Sequence, residues 1–173
     1  MERVVAAGER VYVTLRRLAW QMVEREVPTL LVGIHPRGIV VAEFLSVEVS
    51  RILGQEIPLG RLDVTLWRDD LHYREKLRVP RPTELPFPIE GQRIWLIDDV
   101  LYTGRTVRAA LEALREFGRP EWVRLAVLAD RRGWRELPIA PDCAGFILDT
   151  APSEKVLVHL RPTPEIRILA PDA

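Results

Sequence analysis

The sequence has little cysteine and no long apolar run, and both features narrow what the chain can be. Cys143 is the single cysteine in 173 residues. An intramolecular disulfide or a cysteine-only metal site is therefore excluded, which suits a reducing compartment. No apolar run approaches the roughly 18–20 residues of a membrane span, and the N-terminus lacks the apolar core of a signal peptide. We therefore expect a cytoplasmic protein that has no membrane partner.

An excess of charge of one sign is also missing, because 25 basic side chains balance 25 acidic ones. A formal net charge of zero means that no overall positive field indicates a nucleic-acid partner. A local basic face is still compatible with this balance. The composition, 47% hydrophobic and 29% charged, is ordinary for a globular protein.

Hydrophobic periodicity predicts three helices and several short strands. The helices are expected at 8–26, at 39–53, with Gly54 as a typical C-cap, and at 105–117. Strands are expected at 29–34, 57–66, 93–98 and 123–129, with a turn at 99–104 and weaker strands at 146–148 and 156–160. Strands that alternate with helices predict an α/β fold with a mostly parallel, twisted sheet flanked by helices.

The length predicts one domain over residues 1–173. Within it, segment 67–88 holds many charges and four prolines without periodicity, which is typical of a flexible lid or arm. Segment 161–173 is also rich in proline, and we expect it to be an edge strand or a tail.

The run "IWLIDDVLYTGRTVRAALEAL", residues 94–114, changes character twice and is the strongest functional signal. An apolar strand leads into Asp98 and Asp99, at the end of a strand where open α/β sheets bind ligands. Adjacent carboxylates suit sugar hydroxyls or hydrated Mg²⁺. The turn 103–106 then places hydroxyls and free N–H groups at a helix start, which suits a phosphate. The two acids alone are more typical of an N-capped helix, but the whole run indicates a ribose 5-phosphate site.

These residues resemble a known family. "IWLIDDVLYTGRT" is similar to the phosphoribosyl pyrophosphate (PRPP) signature of type I phosphoribosyltransferases. Together with "LDVTLWRDDL" and "RRGWRELPIAPD" it resembles the PyrR branch, which comprises pyrimidine-operon attenuation regulators with uracil phosphoribosyltransferase activity. The resemblance implies the type I fold with a mobile lid loop, Mg²⁺ bound with PRPP, and the reaction uracil + PRPP → UMP + diphosphate. It also implies a homodimer or a higher homo-oligomer.

The resemblance assigns roles to particular residues. Asp98 and Asp99 would hold the ribose hydroxyls and, through ribose or water, the metal, and with Arg37 they would be catalytic. The ribose 5-phosphate would be bound by Asp98, Asp99, Leu101, Tyr102, Thr103, Gly104, Arg105 and Thr106. The pyrophosphate loop would be His35, Pro36, Arg37 and Gly38, and the water-excluding lid would carry Arg68, Asp69, Asp70 and Arg74.

The acceptor side departs from the family pattern. Gly145, Phe146 and Ile147 are the candidate base-binding residues, but Lys and Asn of the family segment are replaced here by apolar residues. Tyr102 stands where purine enzymes of the superfamily have a third acid, so the general base stays open. A paralogue with a different acceptor base is therefore a second alternative.

The first alternative is a UMP- or PRPP-responsive regulator that binds an mRNA leader with weak or no catalysis. Arg16, Arg17 and Arg135 match basic or polar positions of the family's RNA-binding face. Trp20 and Trp134 replace the two histidines expected on that face, and Ala140 replaces an arginine. Tryptophan either stacks on unpaired bases or forms a dry protein–protein contact, and the zero net charge favours the contact.

Overall fold

The computed structural model describes residues 2–69 and 79–171. In chain order these residues form β1 (Glu2–Ala7), α1 (Glu9–Arg25), β2 (Leu30–Ile34), α2 (Arg37–Leu53), β3 (Leu59–Leu62), a 3-10 turn (Thr65–Trp67), β4 (Arg93–Leu101), α3 (Arg105–Arg115), β5 (Trp122–Arg131), β6 (Cys143–Leu148), β7 (Lys155–His159) and β8 (Glu165–Leu169). None of the helices in these two ranges is long and apolar enough to cross a membrane.

The main sheet has five parallel strands in the order β3-β2-β4-β5-β6. Its central strands are nearly continuous apolar runs, and all five residues of β2 are buried. Such runs are typical of a parallel sheet that is covered on both faces. The predicted α/β class and mostly parallel sheet are confirmed.

Alternation along β4 divides the core into two layers. Trp95 and Ile97 pack with α1 and α2 on one face, whereas Ile94 and Leu96 pack with α3 on the other. All four side chains are fully buried. Because successive side chains of a strand point to opposite faces of the sheet, alternate residues of β4 belong to different layers of the core.

A second, antiparallel sheet joins the two ends of the chain in the order β1-β8-β7. The expectation of an edge strand or tail after residue 161 was wrong, because β8 is the middle strand of this sheet. Ile166 and Ile168 alternate into the core while their neighbours are only partly buried. β1 was not predicted, since Glu2, Arg3 and Val4 are exposed and carry no periodic signal.

Two strand boundaries differ from the prediction. β3 ends at Leu62 rather than at residue 66, because the Asp63 carboxylate accepts the N–H groups of Thr65 (2.8 Å) and Arg81 (2.9 Å) and the chain turns there. β4 continues to Leu101, which pairs with Asp130, so Asp98 and Asp99 lie within the strand and not at a turn. Helix α2 begins at Arg37, two residues before the predicted start.

Candidate functional site

The acidic pair lies near the carboxyl end of β4, in the middle of the parallel sheet. Asp98 and Asp99 are buried, with 7% and 9% of their surface exposed. Burial, and then the charge of Asp99, raise the pKa of Asp98 well above its usual value. One carboxylate oxygen of Asp98 accepts the N–H of Asp99 at 2.9 Å. Two adjacent buried acids, whose like charges repel, fit a hydroxyl-rich or cationic ligand.

The donor set suits a metal that is held mainly by its substrate. Among the residues that the structure describes, no group of three or more His, Cys, Asp or Glu side chains could hold a metal ion. Two adjacent carboxylates together with water and phosphate oxygens are the surroundings that Mg²⁺ prefers. Asp98 and Asp99 therefore fit Mg²⁺ through hydroxyls or water.

Glycines allow the start of α2 to lie against the acidic pair. A Cβ atom on Gly38 would lie 2.7 Å from the carbonyl oxygen of Ile97 and 3.0 Å from a carboxylate oxygen of Asp98. A Cβ on Gly33 would similarly lie 2.8 Å from the Cα of Ile39 in α2. The predicted pyrophosphate loop is thus adjacent to the carboxylates because neither glycine has a side chain.

The same loop also contacts β3. His35 donates its backbone N–H to the carbonyl of Leu62 at 2.9 Å, and the His35–Pro36 peptide bond is cis. Burial lowers the pKa of His35 despite the opposing charge of Asp63. Arg37 is exposed and lines the same cleft as Asp98.

The predicted phosphate turn leads directly into α3. Gly104 has a φ of 95° and is the N-cap of the helix, a conformation that favours glycine. The hydroxyl of Thr103 accepts the N–H of Arg105 at 3.3 Å, and the carbonyl of Thr103 accepts the N–H groups of Glu136 (3.0 Å) and Leu137 (3.3 Å). The segment after β5 therefore fixes the turn at the positive end of the helix dipole.

The first residues of the predicted lid meet this turn. Arg68 donates a hydrogen bond to the hydroxyl of Thr106. Asp69 accepts a hydrogen bond from Arg105 at 2.7 Å and forms an ion pair with Arg108 at 3.5 Å. Arg105 also donates to Glu136 at 2.6 Å, so its guanidinium already has two acidic partners. Asp70 and Arg74 lie outside the described residues.

One cleft of about 680 Å³ brings the PRPP candidates together. Segment 100–107 forms one wall, and segment 152–157, which leads into β7, forms the opposite wall. Arg37, Arg68, Asp98 and Arg131 also line the cleft. A carboxylate, a phosphate-type turn and several cations therefore surround one space, a combination that suits a phosphorylated sugar.

The candidate base-binding residues lie elsewhere. A Cβ on Gly145 would lie 2.7 Å from the carbonyl oxygen of Leu128 and 2.9 Å from a methyl group of Thr14, so Gly145 packs beneath α1. None of Gly145, Phe146 and Ile147 lines the cleft that Asp98 lines. Ile147 is 53% exposed and lines two separate surface depressions. Segment 152–157 lines that cleft instead.

Arg131 is a further site residue that sequence reasoning did not select. It is the last residue of β5, only 5% exposed, and its guanidinium carbon lies 3.8 Å from the ring centre of Tyr102. Its position was open to prediction, because β5 follows β4 in the chain and ends at the same edge of the sheet. The residue was overlooked because it stands in a run of charges that resembles a solvated loop.

The three RNA candidates have different surroundings. Arg16 is exposed and pairs with Glu9 at 3.2 Å, whereas Arg17 donates to the carbonyl of Gly145 at 2.5 Å. The guanidinium of Arg135 makes its hydrogen bonds within the protein. It donates to the carboxylate of Asp130 and to the backbone carbonyls of Tyr102 (2.6 Å), Arg131 (3.2 Å) and Ile139 (2.8 Å).

The two tryptophans also differ. Trp20 is 49% exposed on α1. Trp134 is partly buried and donates its indole N–H to the carbonyl of Thr150 at 2.7 Å. The surface available to RNA therefore centres on α1, and RNA binding stays a prediction.

Comparison with known proteins identifies the domain family. A family model described as the phosphoribosyl transferase domain matches residues 5–160. The chain is 46% identical over 160 residues to the bifunctional protein PyrR of Picosynechococcus sp., which covers 91% of this chain and 89% of the relative. It is also 46% identical over 162 residues to the bifunctional protein PyrR of Deinococcus radiodurans, with 92% and 88% covered.

Solved structures share the fold. The hypoxanthine phosphoribosyltransferase of Trypanosoma cruzi superposes with a TM-score of 0.73 at 15% identity, covering 98% of this chain and 97% of the other. A purine phosphoribosyltransferase from Pyrococcus horikoshii gives a TM-score of 0.61 at 24% identity, covering 81% and 84%. The predicted phosphoribosyltransferase fold is confirmed.

Proposed function

The chain belongs to the PyrR family of phosphoribosyl transferase domain proteins, and we propose that it converts uracil and PRPP to UMP and diphosphate. The observation that carries this proposal is the single cleft in which Asp98 faces the same space as the turn 103–106. An acid for sugar hydroxyls and N–H groups for a phosphate therefore border one space, as a bound ribose 5-phosphate would require.

The proposed reaction replaces one bond at the anomeric carbon of PRPP. The bond from C1 to a diphosphate oxygen breaks, the bond from C1 to N1 of uracil forms, and the proton of N1 is released. Diphosphate is already a good leaving group, so catalysis consists mainly of positioning and charge stabilisation. Asp98 and Asp99 orient the ribose through its hydroxyls, and their negative charge favours the positive charge that develops on C1.

The phosphates would be held at two places. The turn from Leu101 to Thr106 binds the 5-phosphate through its N–H groups and hydroxyls, helped by the α3 dipole. The loop 35–38 lies on the other side of the acidic pair and binds the diphosphate, with Arg37 as its cation. Arg68 and Asp69 begin the lid that excludes water from the reactive C1.

Mg²⁺ is the cofactor that this donor set fits. When bound with PRPP it supplies positive charge to the departing diphosphate. Asp98 and Asp99 would hold it indirectly, through ribose hydroxyls or water.

Uracil would lie between the two walls of the cleft. Backbone groups of segment 152–157 would read its N–H and carbonyl edges beside Tyr102, whose hydroxyl donates to the carbonyl of Pro152 at 3.4 Å. This assignment replaces residues 145–147 on the acceptor side. The general base is left open, since Tyr102 brings no carboxylate to the turn.

The direct test is product formation from radiolabelled uracil, PRPP and Mg²⁺, with cytosine and hypoxanthine as alternative acceptors. We expect UMP as the main product. The double variant Asp98→Asn/Asp99→Asn should lose turnover while it keeps its fold by circular dichroism. The matched control Glu56→Gln, which neutralises an exposed acid far from the cleft, should keep it. Undiminished turnover in the double variant would refute the site assignment.

RNA binding is a second candidate function, because the relatives are named bifunctional and α1 exposes Arg16, Arg17 and Trp20. The partner would be the leader of a pyrimidine-gene transcript, bound in response to UMP or PRPP. A homodimer or higher homo-oligomer and a cytoplasmic location complete the proposal. They rest on the family resemblance and, for location, on the single free cysteine.

A further inference from the structure

Arg131 is a buried cation to which the proposed chemistry assigns no role. Only 5% of it is exposed, and burial lowers the pKa of its guanidinium despite the opposing influence of Tyr102 and Glu154. Within residues 2–69 and 79–171, no carboxylate forms an ion pair with it. A charge kept inside a protein without an acidic partner costs stability unless its hydrogen bonds are well satisfied.

The side chain of Arg131 joins one wall of the cleft to the residues just before the other wall. Its guanidinium stacks on the ring of Tyr102 at 3.8 Å from the ring centre. Its Nε donates to the hydroxyl of Thr150 at 3.0 Å, and its Nη2 donates to the carbonyl of Ala151 at 3.1 Å. Arg131 thus connects the phosphate turn with the segment that begins the opposite wall.

Tyr102 makes a parallel connection between the same walls. Its hydroxyl donates to the carbonyl of Pro152 at 3.4 Å, while its own carbonyl accepts a hydrogen bond from Arg135 at 2.6 Å. Residues 150–152 lie between β6 and β7 and have no ladder partner of their own, so side chains hold them in place. Arg131 and Tyr102 share this support with Trp134, which donates to the carbonyl of Thr150, and with Glu154, which accepts the N–H of Ala151.

We propose that Arg131 is a positioning residue that sets the separation between Tyr102 and segment 150–157, and thereby the width of the acceptor-base site. The inference rests on the proposed function and concerns only its base half. A planar guanidinium can stack on the ring and donate in two fixed directions at once, whereas the ammonium of lysine cannot. The side chain of Arg131 contacts the ring of Tyr102 and residues 150 and 151, and not the acidic pair or the N–H groups of the turn 103–106. We therefore expect the ribose half of the site to depend on Arg131 much less than the base half.

Binding of two ligands tests this division. Ribose 5-phosphate occupies only the sugar half, whereas UMP also places a base between the walls. By calorimetry, Arg131→Lys should weaken UMP about tenfold, the size of roughly one charge-assisted hydrogen bond, and leave ribose 5-phosphate within about twofold. Thr150→Val, which removes only the acceptor of Nε, should shift UMP in the same direction by less. The exposed neighbour provides the control Arg132→Lys, for which we expect no change.

The outcomes are separable. A loss confined to UMP supports the positioning role, and thermal unfolding shows whether the variants stay folded at the assay temperature. An equal loss for both ligands, or no loss for either, overturns it, since a merely structural residue would affect both halves alike. Failure of the proposed function would be a different result, the absence of UMP synthesis by the unaltered protein, because the binding measurements need no turnover.

Discussion

Replacing Gly38 by alanine tests whether the start of α2 positions the acidic pair. The added Cβ would lie 2.7 Å from the carbonyl oxygen of Ile97, about 0.7 Å inside the 3.4 Å at which ordinary contact begins. It would also lie 3.0 Å from both the Cα and a carboxylate oxygen of Asp98. The neighbours are mostly backbone of a central strand, so they cannot rotate away. Relief requires that α2 or β4 moves.

The expected cost follows from this geometry. Overpacking of this kind costs about 1–3 kcal/mol, and in a chain of this size each kcal/mol lowers Tm by about 2–4 °C. We therefore expect Gly38→Ala to lower Tm by about 2–12 °C. A displacement of Asp98 approaching 1 Å should reduce kcat/KM for PRPP on the order of 100-fold, because the ribose is misplaced against its partners. Differential scanning calorimetry and the UMP assay at 25 °C measure the two effects.

Two other glycines provide matched controls. Gly33→Ala meets α2 at 2.8 Å without touching Asp98, so it should lose similar stability and much less activity. The Cβ of Gly60→Ala would overlap with the end of the Leu85 side chain at 2.8 Å and meet its other neighbours at ordinary contact distance. Because the end of that side chain can rotate, the variant should cost less than about 1 kcal/mol. An unchanged Tm and kcat/KM in Gly38→Ala would refute the reasoning. Equal activity losses in Gly33→Ala and Gly38→Ala would show that activity follows stability and not the carboxylate.

Three further predictions concern charge. The pKa of Asp98 is raised in the folded protein, so its ionisation destabilises the fold as pH rises above the ordinary value of 3.8. The unfolding free energy of Asp98→Asn, measured by urea titration, should therefore increase relative to that of the unaltered protein as the pH rises above 3.8. A difference between the two proteins that does not change with pH would contradict this. Burial raises the pKa of the Cys143 thiol. Because the thiolate is the reactive form, iodoacetamide at pH 8 should label Cys143 slowly in the folded protein and quickly in urea. Fast labelling of the folded protein would contradict the burial of this residue. If the protein binds an RNA leader, Arg17→Ala should reduce the slope of log affinity against log salt concentration by about one. The control Arg51→Ala on α2 should leave the slope unchanged. If Arg17→Ala has the same slope as the unaltered protein, Arg17 is not part of the interface.

The PRPP half of the site could be predicted because its residues are neighbours in the chain. Asp98, Asp99 and the turn 103–106 follow one another along β4 and into α3, and their order alone brings acids and a helix start together. The alternation of apolar strands and periodic helices also predicted the parallel sheet. Gly54 correctly predicted the end of α2, because it adopts the left-handed cap conformation that glycine favours.

The acceptor half could not be predicted in the same way. Segment 152–157 reaches the cleft because β7 pairs with β8, and β8 pairs with β1 at the other end of the chain. Such pairing depends on contacts about 160 residues apart, such as Glu2 with Leu169, and leaves no local pattern. Resemblance placed the base at 145–147, but the edge strand β6 directs Gly145 towards α1.

The amino-acid sequence by itself determined the helices, the parallel sheet and the candidate residues for a ribose 5-phosphate site, since these depend on side-chain period, backbone preference and adjacency. Only the tertiary structure decided that Arg131 and Tyr102 bridge to residues 150–152, and that Arg135 is used internally rather than on the surface. The physical reason is that a buried polar group takes its partners from wherever the fold brings them. Those partners are set by strand order and by packing across the sheet, which no local stretch of residues encodes.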